Sequence, residues 1–220
     1  MNVVAFDINE TLLDLTALDP IFNGLFGSPL VRQEWFAETL QSAFVTTITG
    51  YYEPFPRLAQ AAFDLLSQRY GRGVAKEDWE RVANALPHLP AHADAAPALK
   101  RLSAGGVTIV ALGNNEGSNI ENQLRHARLW EFFRHIFGAE TVQRMKPAKE
   151  PYQFVARELG CGLDEVTMVA CHPWDIAGAQ AAGLQAAFVK RPGKHLASWV
   201  PTPRFVSDSL TEFADSYLRT

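Results

Sequence analysis

Apolar positions along this chain follow two rhythms. Residues 3–7 read VVAFD, a short apolar run that ends on an acid. A strand buried on both faces has this pattern, with its charge emerging at the C-terminal end. Over residues 15–93 such runs give way to helical spacing. Phe36, Leu40, Phe44 and Ile48 recur every four residues and predict one apolar helix face. Further helices are predicted over 57–70 and 76–86, separated by Gly27-Ser28-Pro29, by Pro54 and Pro56, and by Gly71-Arg72-Gly73. From about Asp94 helices alternate with strands. Strands are predicted at 107–112, 166–170, 187–190 and 205–206, and helices at 119–129, 152–159 and 175–182.

This alternation predicts an α/β fold, a doubly wound parallel sheet with right-handed crossovers. The strand ahead of the helical block must then pair with strands that come after it. The block therefore reads as an insertion: a core domain from 1–14 and 94–220, and a helical domain from 15–93 inserted after strand 1. The Pro-rich piece 192–203 reads as a surface connection.

Composition adds bounds. The chain has 220 residues, 47% hydrophobic and 20% charged, ordinary for a globular protein. A net charge of -4 gives no electrostatic reason to bind nucleic acid or an anionic membrane. The apolar runs are too short to span a bilayer. The opening MNVVAFDINE lacks the basic start and apolar run of a signal peptide. Cys161 and Cys171 lack zinc-site or redox-pair spacing. A soluble, reduced, cytoplasmic protein is expected, with neither nucleic acid nor membrane as partner.

In an open parallel sheet, ligands bind beyond the carboxyl ends of the strands. Those ends carry Asp7, then Gly113-Asn114-Asn115, then Cys171-His172 followed by Trp174-Asp175. Lys146-Pro147 lies in the loop before a helix. Any one of these taken alone reads equally as a solvated loop residue or a helix cap. Together they would bring two carboxylates, a lysine and loop amides to one edge of the sheet.

The segment AFDINETLLDL resembles motif I of the haloacid dehalogenase superfamily, an aspartate ending strand 1 with a threonine four residues later. LGNNEGS, MKPAKEPYQF and VACHPWDIAGAQAAGL resemble motifs II, III and IV, in the same order and across nearly the whole chain. Within the superfamily, motif III, the Trp-Asp of motif IV and the stretch LVRQEWFAETL look most like L-2-haloacid dehalogenases. The resemblance implies that the insertion is a cap domain and that the ligand is a small anion, a 2-haloalkanoate. It implies no cofactor and no metal, and homodimers are common in that branch.

Carried over residue by residue, the resemblance makes Asp7 the nucleophile and Lys146 the ammonium that keeps it ionised. Asp175 would fix Lys146 and orient or deprotonate water. Thr11 would hold Asp7 or its ester, and a plain helix N-cap is the rival reading. Arg32 would reach from the cap to the substrate carboxylate or departing halide. The amide of Asn114 would bind halide or carboxylate. Tyr152 matches the tyrosine six residues after the motif III lysine and would contact the substrate, with a half-buried helix residue as the equal rival reading, and Trp174 would form a pocket wall.

Three positions depart from the pattern. Gly113 stands where motif II offers a hydroxyl, leaving its backbone N–H as the expected anion donor. Asn9 stands where these dehalogenases carry tyrosine and superfamily phosphatases carry an aspartate that protonates the leaving alcohol. Ala170 and His172 replace a frequent serine and asparagine; His172 would act as base or hydrogen-bond partner, or be structural. A magnesium-dependent phosphatase would want a second acid near Asp7 and two motif IV carboxylates. The expected activity is therefore hydrolytic dehalogenation of short 2-haloalkanoic acids through an Asp7 ester. The alternatives are a phosphatase using Asp7 as phosphoryl acceptor and a catalytically weak binder of small carboxylates.

Overall fold

The computed structural model describes residues 2–73 and 75–220. Strands β1 (Val3–Phe6), β2 (Thr108–Leu112), β3 (His135–Phe137), β4 (Val166–Ala170), β5 (Gln185–Val189) and β6 (Phe205–Ser207) form one sheet. All pairings are parallel, in the order β3-β2-β1-β4-β5-β6. The chain starts mid-sheet, winds outward through β2 and β3, then returns to lay β4 on the other side of β1. The switch point lies between β1 and β4, where a doubly wound sheet opens a crevice. Phe6 sits opposite both Ala111 and Val169, so these three strands end level and the residues just beyond them share one edge.

Four of the helices between β1 and β2 make up the insertion: α1 (Asp19–Phe26), α2 (Val31–Thr49), α3 (Phe55–Arg69) and α4 (Lys76–Ala85). Gly27 and Gly50 end α1 and α2 at φ 77°, a left-handed conformation that glycine adopts without steric cost. An aromatic cluster binds these helices together, with Phe22 5.3 Å from Trp35 and Phe63 5.7 Å from Trp79 between ring centroids.

The remaining helices are α5 (Ala95–Ala104), α6 (Gly117–His126), α7 (Lys149–Leu159), α8 (Pro173–Ala182) and α9 (Leu210–Tyr217). Side-chain alternation along β1 splits the core in two. Val4 and Phe6 join Leu99, Leu124 and Phe213 on the face carrying α5, α6 and α9. Val3 and Ala5 join Tyr152, Val155 and Ala179 on the face carrying α7 and α8. Burial on both faces is why β1 reads as an unbroken apolar run and β4 as one interrupted only by the buried Thr167.

The structure differs from the sequence reading in places. On α2, Phe36 is buried, Leu40 and Phe44 are half-buried, and Ile48 is 83% exposed. Four residues advance a helix by slightly more than one turn, so a stripe with that spacing rotates away from the core. β3 is not foreseen because it has three residues and opens on the exposed His135. α1 and α9, eight residues each, are likewise not distinguished in the sequence pattern. Among the described residues no helix is long and apolar enough to cross a membrane.

Candidate active site

Asp7 follows β1 and donates its backbone N–H to Val169 of β4. Its carboxylate is held from three sides. Thr11 Oγ1 donates to Oδ2 at 2.7 Å and accepts from the Cys171 N–H at 3.2 Å, tying the motif I loop to β4. Thr11 is thus a carboxylate holder and caps no helix. His172 Nδ1 lies 3.1 Å from the same Oδ2. Lys146 Nζ donates to Oδ1 at 3.0 Å.

The lysine also bridges to Asp175 Oδ2 at 2.6 Å, and Tyr152 Oη donates to Asp175 Oδ1 at 2.6 Å. Lys146, Asp175 and Tyr152 are 0% exposed, so these charges are paired and hydrogen-bonded out of water. Asn114 clamps the lysine's backbone, accepting its N–H at 2.7 Å and donating to its carbonyl at 3.1 Å. Gly178 on α8 lets Tyr152 approach: a Cβ there would lie 2.6 Å from Tyr152 Oη and 2.9 Å from Pro147 Cα.

Burial opposes ionisation of Asp7, but the Lys146 charge, His172 and the Thr11 hydroxyl outweigh it and hold the carboxyl well below its usual range. Burial, with the Asp7 charge, lifts Asp175 despite Lys146. Lys146 itself is raised: burial disfavours its charge, and Asp175 and Asp7 more than restore it. For His172, burial is outweighed by the Cys171 sulfur, by Asp7 and by Glu10, which keep the ring well above its ordinary value.

Glu10 is a member of the site that the sequence reading missed. It lies 2.9 Å from His172 Nε2 and 2.5 Å from Lys194 Nζ, and its other oxygen is 3.6 Å from Arg32 Nη1. Its backbone sits at φ 66°, which carries the chain round the turn after Asn9. The available signal was an acid beside Thr11 combined with a histidine in motif IV. Lys194 was missed because 192–203 read as a surface connection; the stretch is indeed largely exposed, and Lys194 reaches from it to Glu10.

Three neighbouring cavities surround these groups. The one containing Asp7 holds about 20 Å³ and is lined by Asn9, Gly113, Asn114, His172 and Trp174 among others. That is room for about one water molecule. On one side lies a chamber of about 150 Å³, walled by Trp35, Phe36, Phe55 and Trp79 and floored by Asn9 and Gln123. On the other lies one of about 530 Å³, bordered by Glu10, Asp19, Arg32 and Lys194.

The structure thus gathers Asp7, Thr11, Lys146, Asp175 and His172 into one hydrogen-bonded cluster, with Asn9, Gly113, Asn114 and Trp174 around its cavity. Two expectations need correction. The Gly113 N–H donates to the Phe137 carbonyl at 3.1 Å, so it is not a spare anion donor. A Cβ at Gly113 would lie 2.7 Å from Ile120 Cδ1, which fills the space a motif II side chain would take. Tyr152 does not line the cavity; it positions Asp175 from behind. Asn114 spends its oxygen and one N–H on Lys146, which leaves a single side-chain N–H for a ligand. Arg32 is bonded through Nε to Asp19, and its Nη1 has no hydrogen-bond partner among the described residues. Asn9 accepts from Gln123 at 3.2 Å between two of the cavities.

A magnesium ion does not fit this donor set. The space between Asp7 and Asp175 is bridged by an ammonium, the second Asp175 oxygen accepts from Tyr152, and residue 9 offers an amide. Among the described residues no group of three or more His, Cys, Asp or Glu side chains is placed to hold a metal.

A parallel sheet with a helical insertion after its first strand, and an aspartate–lysine–aspartate cluster at the switch point, defines a class of hydrolases. The chain belongs to the haloacid dehalogenase-like hydrolases, whose family model matches residues 4–189. It is 28% identical over 216 residues to (S)-2-haloacid dehalogenase 1 of Pseudomonas sp. (strain CBS-3), covering 97% of this chain and 95% of that one. It is 23% identical to (S)-2-haloacid dehalogenase H-109 of Pseudomonas putida, covering 96% of each. In structure it resembles the L-2-haloacid dehalogenase of Xanthobacter autotrophicus with chloropropionic acid covalently bound. The TM-score is 0.90 at 19% identity, covering 98% of this chain and 97% of the other. A likeness at that identity speaks to the fold alone.

Proposed function

We propose that the protein hydrolyses short (S)-2-haloalkanoic acids through an ester on Asp7. The observation that carries this reading is the bonding of the Asp7 carboxylate. Oδ2 accepts from Thr11 and His172, whereas Oδ1 accepts from Lys146 and keeps a lone pair for attack. A carboxylate held ionised by a buried ammonium is a competent nucleophile toward a carbon bearing halide. Oδ1 attacks C2 from the side opposite the halogen, the C–halogen bond breaks, and halide leaves with its electron pair. Water then adds to Cγ of Asp7, giving its proton to Asp175. The Cγ–Oδ1 bond breaks, the leaving alkoxide of the inverted 2-hydroxy acid takes that proton, and the re-formed Asp7 acid ionises to solvent.

Arg32 Nη1 is the donor for the substrate carboxylate or the departing halide, and the aromatic chamber receives the substrate's carbon chain. With room for about one water beside Asp7, substrate entry requires the cap helices to shift from the core. The resemblance in full-length sequence to (S)-2-haloacid dehalogenases supports the substrate class. The test measures halide from each 2-chloropropionate enantiomer with chelator present, and phosphate from a phosphate ester with magnesium. Halide from the S enantiomer supports the reading. Metal-dependent phosphate release without halide overturns it in favour of a phosphatase.

A further inference from the structure

Resting on that dehalogenase reading, we infer that His172, clamped by Glu10, is the oxyanion-stabilising donor of the ester-hydrolysis step. Both ring nitrogens face carboxylate oxygens, Nδ1 toward Asp7 Oδ2 at 3.1 Å and Nε2 toward Glu10 Oε2 at 2.9 Å. Carboxylates accept and do not donate, so this geometry suits a ring carrying a proton on each nitrogen. The ring is stacked on Trp174, with centroids 5.2 Å apart, and Phe36 lies 6.2 Å away on a tilted plane. Aromatic neighbours of this kind favour a cation.

The lone-pair count on Asp7 decides what the cation does. Alkylation at Oδ1 leaves Oδ2 as the ester carbonyl oxygen, already bonded to His172 and Thr11. When water adds to Cγ, the carbonyl electron pair moves onto Oδ2 and the water proton goes to Asp175. His172 keeps its own proton and meets the new negative charge with a charged N–H. When the Cγ–Oδ1 bond breaks, the pair returns to the carbonyl and the proton on Asp175 passes to the leaving alkoxide. A donor fixed before the charge develops costs no reorganisation at that moment. Glu10 is a positioning residue. It touches no reacting atom, and Lys194 and Arg32 hold it in turn.

The groups facing His172 are Asp7 on the β1 end, Glu10 in the turn after it, and Cys171 on the β4 end, with Lys194 and Arg32 behind Glu10. A donor role makes ester hydrolysis fall as pH rises through the ring's deprotonation; a general-base role makes it rise. The test tracks (S)-2-chloropropionate by rapid-quench halide release and by intact mass of the Asp7 adduct, across pH. His172→Ala is expected to release about one halide per chain and then stall, with hydrolysis slowed about 10²- to 10³-fold and the adduct accumulating. Glu10→Gln keeps the ring's partner in place without its charge, and its descending pH limb is expected at lower pH than that of the wild type. Unchanged adduct hydrolysis in both variants, or a limb that ascends with pH, overturns the inference while leaving the dehalogenase reading intact. No halide and no adduct from the wild type overturns both.

Discussion

On the sheet side of the Asp7 cavity, Lys146, Asp175 and Tyr152 lie out of solvent and are bonded to one another at 2.6 Å. On the cap side, Arg32 leans on Asp19, leaves Nη1 without a hydrogen bond, and borders a chamber of about 530 Å³. The first region has its hydrogen-bond partners before any ligand arrives; in the second, Arg32 Nη1 is buried, makes no hydrogen bond among the described residues and has only the Glu10 carboxylate near it, at 3.6 Å. On the proposed reading, reactivity belongs to the strand ends and the loop carrying Lys146, and recognition to the helical insertion.

The sharpest way to break this contrast is Asp7→Asn, expected to lower halide release by about 10⁴-fold or more. An equal loss from Arg32→Met would erase the distinction between the two sides. Lys146→Met should cost about 3–5 kcal/mol of stability in denaturant titrations, because it strands two buried carboxylates. Gly178→Ala, out of reach of any ligand, should cost about 1–3 kcal/mol through crowding of Tyr152 and Pro147. Arg32→Met should raise KM for the haloacid about tenfold, the worth of one charge-assisted hydrogen bond, with a smaller change in kcat. Asp19→Asn, which frees the same guanidinium, should lower KM by about twofold; a rise would show that Asp19 orients Arg32 for the substrate.

His172 lines both the Asp7 cavity and the chamber beside Arg32. Its folded value lies above its ordinary 6.5, so its stabilisation is full below about pH 6.5 and is lost as pH rises through the raised folded value. The gap in Tm between wild type and His172→Asn should therefore be widest below about pH 6.5 and narrow as pH rises above it. A gap independent of pH would mean that the ring is held as a neutral group.

Legibility tracked the physics of each element. β1 and β4 are buried on both faces, so largely apolar runs announced them, and the residues after them were already the candidates for chemistry. β3 has three residues, none of them buried, and opens on the exposed His135, so no apolar run announced it. On α2 the four-residue spacing of Phe36 to Ile48 suggested a single face, yet the rotation of such a stripe leaves Ile48 in solvent. Asp7, Lys146 and Asp175 stood out as charged residues beyond strand ends or in the loop before a helix, whereas Thr11 and the roles of all four came from the resemblance to the superfamily motifs. Glu10 was passed over because its importance depends on His172, 162 positions away in sequence.

By itself the sequence determined the alternation of strands and helices, the place of the insertion and the residue types offered at the sheet's carboxyl edge. These are local properties, set by side-chain periodicity and by the polar residues that close each buried run. Tertiary structure decided what those residues are free to do. It committed the Gly113 N–H to Phe137, turned Tyr152 from a substrate contact into a support for Asp175, and placed His172 between two carboxylates. A hydrogen-bonding group can be read from one letter; whether that group is already satisfied depends on partners that only folding brings within about 3 Å.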